Sequence, residues 1–294
     1  MINLTDIFLD LSHKLGNQSK HFSQLEVYNQ AITELPAGVF ADIQFDTIHV
    51  DNARSLRHIH KDAFSGPTRD TITSVQISHT PISDAKGEYD LFAAIRTLKG
   101  LTDLELWESE LTEVPDGAVQ SLPKLATIFI GDGNLQRLGK HAFADLPSLT
   151  GLWLGFNSIA DVSAEAFAVG PTPGANDEKH EDKMYFKLPS LIGSWLGLSK
   201  TPVEFKASDK KLDIHLENNK LSTHVLVKEA LTSIKRPVNL YVYYNEFEFL
   251  NETVFESFLA QNPLNTIYSD TDCKDSRNDW LRQKYEKQWS DDNC

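Results

Sequence analysis

Trp107, Phe129, Trp153 and Phe156 stand at related places along this 294-residue chain, with Glu105, Glu108 and Asp132 interleaved among them. Rings beside carboxylates suit a surface that holds a partner, because the rings supply buried area and the acids supply orientation. Tyr241, Tyr243 and Tyr244 make a second such group further on. Residues suited to catalysis show no comparable order. Ten histidines occur, yet His58-x-His60 and His79 have no cysteine or carboxylate at a zinc-like spacing and read as solvated loop histidines. The stretch GDGNLQ from Gly131 lacks the Gly-Lys-Ser/Thr ending of a phosphate loop. Neither G-x-S-x-G nor H-E-x-x-H is present. The residues point to binding rather than catalysis, with no cofactor or metal implied.

The spacing of the aromatics leads to the elements that must carry them. From Leu101 the chain reads LTDLELWESELTEVPDGAVQSLPK, from Leu125 LATIFIGDGNLQRLGKHAFADLPS, and from Leu149 LTGLWLGFNSIADVSAEAFAVGPT. These starts lie 24 residues apart and share the pattern L-x-x-L-x-L-x-x-N-x-L, closed by Val119, Phe143 or Phe167. That period belongs to leucine-rich repeats. Weaker copies extend to both sides, for about nine units in all. Each unit offers a short strand whose aliphatics at positions four and six face inward, and it must stack on its neighbours to bury them. The expected fold is an α/β leucine-rich repeat solenoid, a horseshoe with a parallel concave β-sheet, over residues 1–272. An inserted loop falls at about 173–205, where PTPGANDEKHEDK is Pro/Gly-rich and charged.

Residues 273–294 read as a C-terminal cap, with Trp280, Leu281 and Tyr285 at helical spacing to cover the last open layer. The chain's two cysteines, Cys273 and Cys294, flank this segment, and a disulfide between them would close it in an oxidising compartment. Sequons at Asn3, Asn17 and Asn251 lean the same way, towards a secreted glycoprotein. The first twenty residues lack the basic and apolar regions of a signal peptide. A formal charge of −14 argues against nucleic acid or anionic lipid, and no apolar run is long enough to insert in a membrane.

Four stretches carry a resemblance: FDTIHVDNARSLRHIHKDAFSG, SVQISHTPISD, KRPVNLYVYYNEFEFLNETVF and DCKDSRNDWLR. Together they resemble a family of arthropod extracellular leucine-rich repeat proteins named for the non-catalytic subunit of Oplophorus-luciferin 2-monooxygenase. The resemblance implies a secreted solenoid in which any oxygenase chemistry belongs to another chain.

On the concave face, position five of successive units reads Glu26, His49, Gln76, Glu105, Phe129, Trp153, His215 and Tyr241. Position seven includes Trp107, Gly131, Gly155 and Tyr243; position eight includes Glu108, Asp132, Phe156 and Tyr244. Neighbouring strands lie about 4.8 Å apart. Trp107, Phe129, Trp153 and Phe156 are therefore expected to form one patch, with a hollow at Gly131 and Gly155, and the three tyrosines a second. Three readings stay open for these rings: a partner-binding surface, a local core under the inserted loop, or a chance grouping. The binding reading divides again, into a protein or peptide partner and a defence-type recognition of microbial or glycan ligands.

Overall fold

The computed structural model describes residues 3–170, 185–186, 203–204, 211–272 and 274–291. Its centre is one ten-stranded sheet in which every strand pairs in parallel with the next: β1 (His21–Val27), β2 (Gln44–Asp51), β3 (Ser74–Ser78), β4 (Asp103–Trp107), β5 (Thr127–Gly131), β6 (Gly151–Trp153), β7 (Leu212–His215), β8 (Val238–Tyr241), β9 (Thr266–Ser269) and β10 (Trp289–Asp291). This is the leucine-rich repeat solenoid. The tenth strand comes from the segment read as a cap. β6 pairs directly with β7, Leu152 opposite Ile214, so the sheet continues across the inserted stretch without losing a strand. Within that stretch Tyr185–Phe186 pairs antiparallel with Val203–Glu204, and the remainder of 173–205 lies outside the described residues.

Alternation along the strands builds the core. Leu104 and Leu106, Ile128 and Ile130, Leu152 and Leu154, and Ile214 and Leu216 are buried, while the residues between them reach the concave face. The closing aromatics form a second internal ladder. Phe40 and Phe64 stack at 6.2 Å between ring centroids, and Phe143 and Phe167 at 6.1 Å. Each such ring contributes on the order of 1.5–3 kcal/mol by leaving water.

Polar side chains close the turns. Asn157 Nδ2 donates to the carbonyls of Ile130, Leu154 and Gly155 at 2.9–3.2 Å, and its Oδ1 accepts from Gly133 N and Leu135 N. Asn219 and Asn245 repeat the arrangement in the next two coils. Where Thr80 takes the place of asparagine, its hydroxyl donates to Ser78 O at 2.7 Å and accepts from Ala53 N at 3.2 Å. A short polar side chain of either kind satisfies backbone groups that would otherwise be buried without a partner.

Helices cover the ends and part of the convex side. α1 (Leu4–Leu15) opens the chain, capped by Asn3, whose side chain accepts from Thr5 N and Asp6 N. Its Phe8 packs edge-on to Phe40 and Phe45, shielding a first coil whose own Phe22 is still 37% exposed. The convex side of the middle coils consists of two-residue strands such as Glu113–Val114, Arg137–Leu138 and Asp161–Val162. In the C-terminal coils it carries α2 (Lys228–Thr232), α3 (Glu252–Gln261) and α4 (Asp279–Lys284). On α4, Trp280 and Leu281 are buried over the last layer, and Tyr285 just beyond it packs on Trp280. Cys273 and Cys294 lie outside the described residues.

Arg236 holds the two halves of the solenoid together across the inserted stretch. It precedes β8, is 4% exposed, and reaches past the coil of β7 to the turn before β6. There Nη1 donates to Leu149 O at 2.7 Å and Pro147 O at 3.2 Å, and Nη2 donates to Leu146 O at 2.7 Å. Its Nε has no partner among the described residues, and burial pulls the guanidinium down to about 10.

Candidate functional site

Strand register places the position-five side chains in one row across the sheet. Glu26, His49, Gln76, Glu105, Phe129, Trp153, His215, Tyr241 and Tyr268 stand opposite one another in succession. The row follows from the spacing, because equal offsets in sequence become direct neighbours in a parallel sheet.

The rings, however, form two groups different from those the spacing suggests. Trp107 and Phe129 stack at 4.6 Å. Trp153 stacks on His215 at 5.4 Å, His215 on Tyr241 at 4.2 Å, and Tyr241 on Tyr268 at 4.6 Å. Glycines decide the split. Phe129 leans forward over Gly131, where an added Cβ would come within 2.8 Å of its ring, and so meets Trp107 on the adjacent strand. Trp153 leans backward over Gly151, where an added Cβ would come within 2.1 Å of its ring. The two rings thus point opposite ways along neighbouring strands. Gly131 is a seat for a ring and not an open hollow. Gly155 is likewise covered, by Glu217.

Position eight is a turn and not a strand. Asn52, His79, Glu108, Asp132, Phe156, Asn218 and Tyr244 all have φ between 47° and 56°. This left-handed conformation is uncommon outside glycine and asparagine. It persists because most of these backbone N–H groups continue the ladder, as Glu108 N does to Gly131 O and Phe156 N to Glu217 O, while Tyr244 N donates to Asp270 Oδ2. Phe156 and Tyr244 therefore sit on the rim where the chain leaves the sheet. Phe156 is half-buried, Tyr244 is 66% exposed, and Tyr243 and Tyr244 are a tilted pair at 6.3 Å.

Acidic groups border the first ring pair. Glu108 and Asp132 are exposed on the rim and, with Ser109, Glu110, Gly133 and Asn134, line an open hollow of about 550 Å³. Burial, with Glu108 adding to it, holds the Asp132 carboxyl above its usual range, and His79 partly offsets this. Glu105 lies on the sheet itself, flanked by Gln76 and Phe129. Burial and the nearby Asp103 push it up to about 7.

Sequence reasoning placed His215 and Glu217 in the concave rows but not in the site, and it passed over Tyr268. The signal was available: aligning Ile267 with Leu240 puts Tyr268 next to Tyr241. His215 Nδ1 lies 2.9 Å from Glu217 Oε1, while Glu217 Oε2 is buried with no partner among the described residues. Burial, together with Asp213 and neighbouring tyrosines, raises the Tyr241 hydroxyl.

The histidine pair behaves differently from its sequence reading. Among the described residues His60, Asp62 and Glu88 have ligand-type atoms within 4.8 Å of one another. Glu88 comes from the next coil, which is why spacing alone hides it. Lys61 Nζ already sits 2.8 Å from Glu88 Oε2, and His60 packs on Tyr89, so the grouping is an ion-pair corner of the convex edge.

A ten-stranded parallel sheet with asparagine-closed turns and a ring-bearing concave face defines a leucine-rich repeat protein. A family model described as Leucine rich repeat matches residues 99–168, the coils of β4 to β6. No curated protein matches the chain. Among solved structures, it is similar to a chain of the Toll–Spatzle complex, "a molecular hub in Drosophila development and innate immunity", at 15% identity and TM-score 0.47. That alignment covers 90% of this chain and 35% of the other. It is also similar to a chain of the mouse RP105/MD-1 complex at 13% identity and TM-score 0.40, over 94% of this chain and 52% of that one. This chain thus spans about a third and about half of the two. Among the described residues no helix is long and apolar enough to cross a membrane.

Proposed function

We propose that this chain is a non-enzymatic extracellular binding protein whose concave face holds a protein partner. The observation that carries the reading is the Trp107–Phe129 stack at 4.6 Å on the concave sheet, bordered by Glu105, Glu108 and Asp132. Such a cluster of rings with a polar rim is the make-up of an interface hot spot. A partner presenting basic groups complements the rim and the chain's net charge of −14. In the version suggested by the resemblance to luciferase non-catalytic subunits, that partner is a small catalytic subunit. The defence-type glycan reading is weaker on physical grounds. Sugars stack on open ring faces, whereas both faces of His215 and of Tyr241 are taken by neighbouring rings.

Secretion and glycosylation belong to the same proposal. Asn3 and Asn251 cap helices through Oδ1, which leaves each Nδ2 available for a glycan. Expression in a secreting cell followed by glycosidase treatment should shift the mass at Asn3, Asn17 and Asn251. The binding reading is tested by affinity capture from native secretions, using the wild type and a Trp107→Ala/Phe129→Ala variant as baits. A protein held by the first and lost at least tenfold by a folded second supports it. Equal capture by both baits sinks it.

A further inference from the structure

The polar members of the position-five row, phenols aside, nearly all have partners. Gln24 Nε2 donates to Glu26 Oε1 at 3.0 Å and lies 3.5 Å from His49 Nδ1. Gln76 donates to Ser74 Oγ at 3.3 Å, and His215 pairs with Glu217. Asp103, on the same face as Glu105, accepts from Thr127 Oγ1 at 2.5 Å and from Thr102 Oγ1 at 2.6 Å, so both its oxygens are occupied. Glu105 has no hydrogen bond or ion pair with any described residue. It is half-buried between Gln76 and Phe129, with the Trp107–Phe129 stack beside it. A partly desolvated carboxylate without a donor is costly, whereas the same group paired with a cation in that setting is favourable. The adjoining rings add attraction for a cation, most of all for a flat one.

We propose that Glu105 anchors one arginine of the protein partner, whose guanidinium lies against the Trp107–Phe129 stack. This rests on the binding reading above and names the group the partner must present. Arginine fits better than lysine because its planar fork can meet the carboxylate while stacking on a ring. The seat is also sensitive to pH. From β3, Ser74, Gln76 and Ser78 face the carboxylate, and from β5 Thr127 and Phe129; none of them titrates in the neutral range. On β4 itself Asp103 is the charged neighbour, and it joins burial in favouring the neutral acid. The arginine requires the carboxylate, so binding strengthens as pH rises through about 7.

The test uses the whole chain with Nα-acetyl-arginine amide as probe and its neutral isostere, Nα-acetyl-citrulline amide, as control. Binding is read from the Trp107 indole N–H resonance. The arginine probe is expected to shift that signal at pH 8, with apparent affinity about tenfold lower at pH 6 as the charged fraction of Glu105 falls. Citrulline should leave it in place, and Glu105→Gln should remove the pH dependence. Equal shifts by both probes, or unchanged binding by Glu105→Gln, overturn the proposal. The wild-type pH series and the citrulline control need no variant, so a misfolded Glu105→Gln would not protect the idea. If the probe fails while the Trp107→Ala/Phe129→Ala bait still loses its captured protein, only the arginine seat is wrong. If that bait keeps its protein, the binding reading fails whatever the probe does.

Discussion

The middle coils, β4 to β6, and the C-terminal coils, β7 to β10, carry the same sheet but hold it in different ways. In the middle, the convex side is made of short parallel strands at a constant offset, and the concave face carries a ring pair beside a carboxylate with no partner among the described residues. After the inserted stretch, helices replace those strands, a buried arginine ties the coils back to the earlier turn, and the rings are stacked on one another. The contrast separates two uses of aromatic side chains on one surface. Rings whose faces are covered by their neighbours stabilise the sheet they stand on; in the binding reading proposed above, a ring pair beside a carboxylate that no described residue pairs is the part turned to a partner.

The strongest way to break this comparison is at its joint. Arg236→Met takes the arginine donor from the carbonyls of Pro147 and Leu149, leaving Leu146 O only its bond from Leu149 N, and should cost about 3 kcal/mol. Because a solenoid need not unfold in one step, hydrogen exchange is the suitable readout, with protection expected to fall in the coils of β7 and β8. Uniform loss along the chain would mean that the two halves are not separate units. Asn219→Ala comes next, at about 2 kcal/mol, since it removes a buried amide that serves several backbone groups. Asn157→Ala should cost a similar amount if both halves use the same ladder, as denaturant melts would show.

Glu105→Gln sharpens the comparison in the opposite direction. A carboxyl raised to about 7 from its ordinary value of 4.5 binds its proton more tightly folded than unfolded. Stability is therefore lost as pH rises from about 4.5 to 7 and stays lost above that. The variant should be more stable than wild type by about 1–2 kcal/mol at pH 8 and indistinguishable at pH 4, a difference that paired thermal melts resolve. The smallest effect is expected from Gly151→Ala, at about 1 kcal/mol. Its Cβ would displace the Trp153 ring from His215, changing tryptophan fluorescence, while the Trp107–Phe129 pair stays as it is.

Spacing carried most of the fold because a constant offset between leucines becomes a lateral neighbour in a stacked sheet. The position-five row from Glu26 to Tyr241 was readable for that reason. The direction in which a ring leans was not: Phe129 has a glycine only two after it, but Trp153 has one on each side, and its lean over Gly151 goes with Glu217 occupying the space at Gly155. Position eight looked like strand because alternation alone does not register a left-handed residue, although Asn52 and Asn218 in that column are the types such a turn favours. α1 was missed even though Asn3 and the following Leu, Thr and Asp are a helix-start signal. Arg236 lies in a stretch already noted as distinctive, yet nothing in the order of residues indicates that an arginine will reach past a neighbouring coil to bare carbonyls.

That reach has a temporal consequence. A ribosome delivers the turn at Leu146 to Leu149 long before it delivers residue 236, so the nascent coil of β6 must wait with the oxygens of Pro147 and Leu149 on water or a chaperone. Final closure of the earlier half is thereby tied to arrival of the later one.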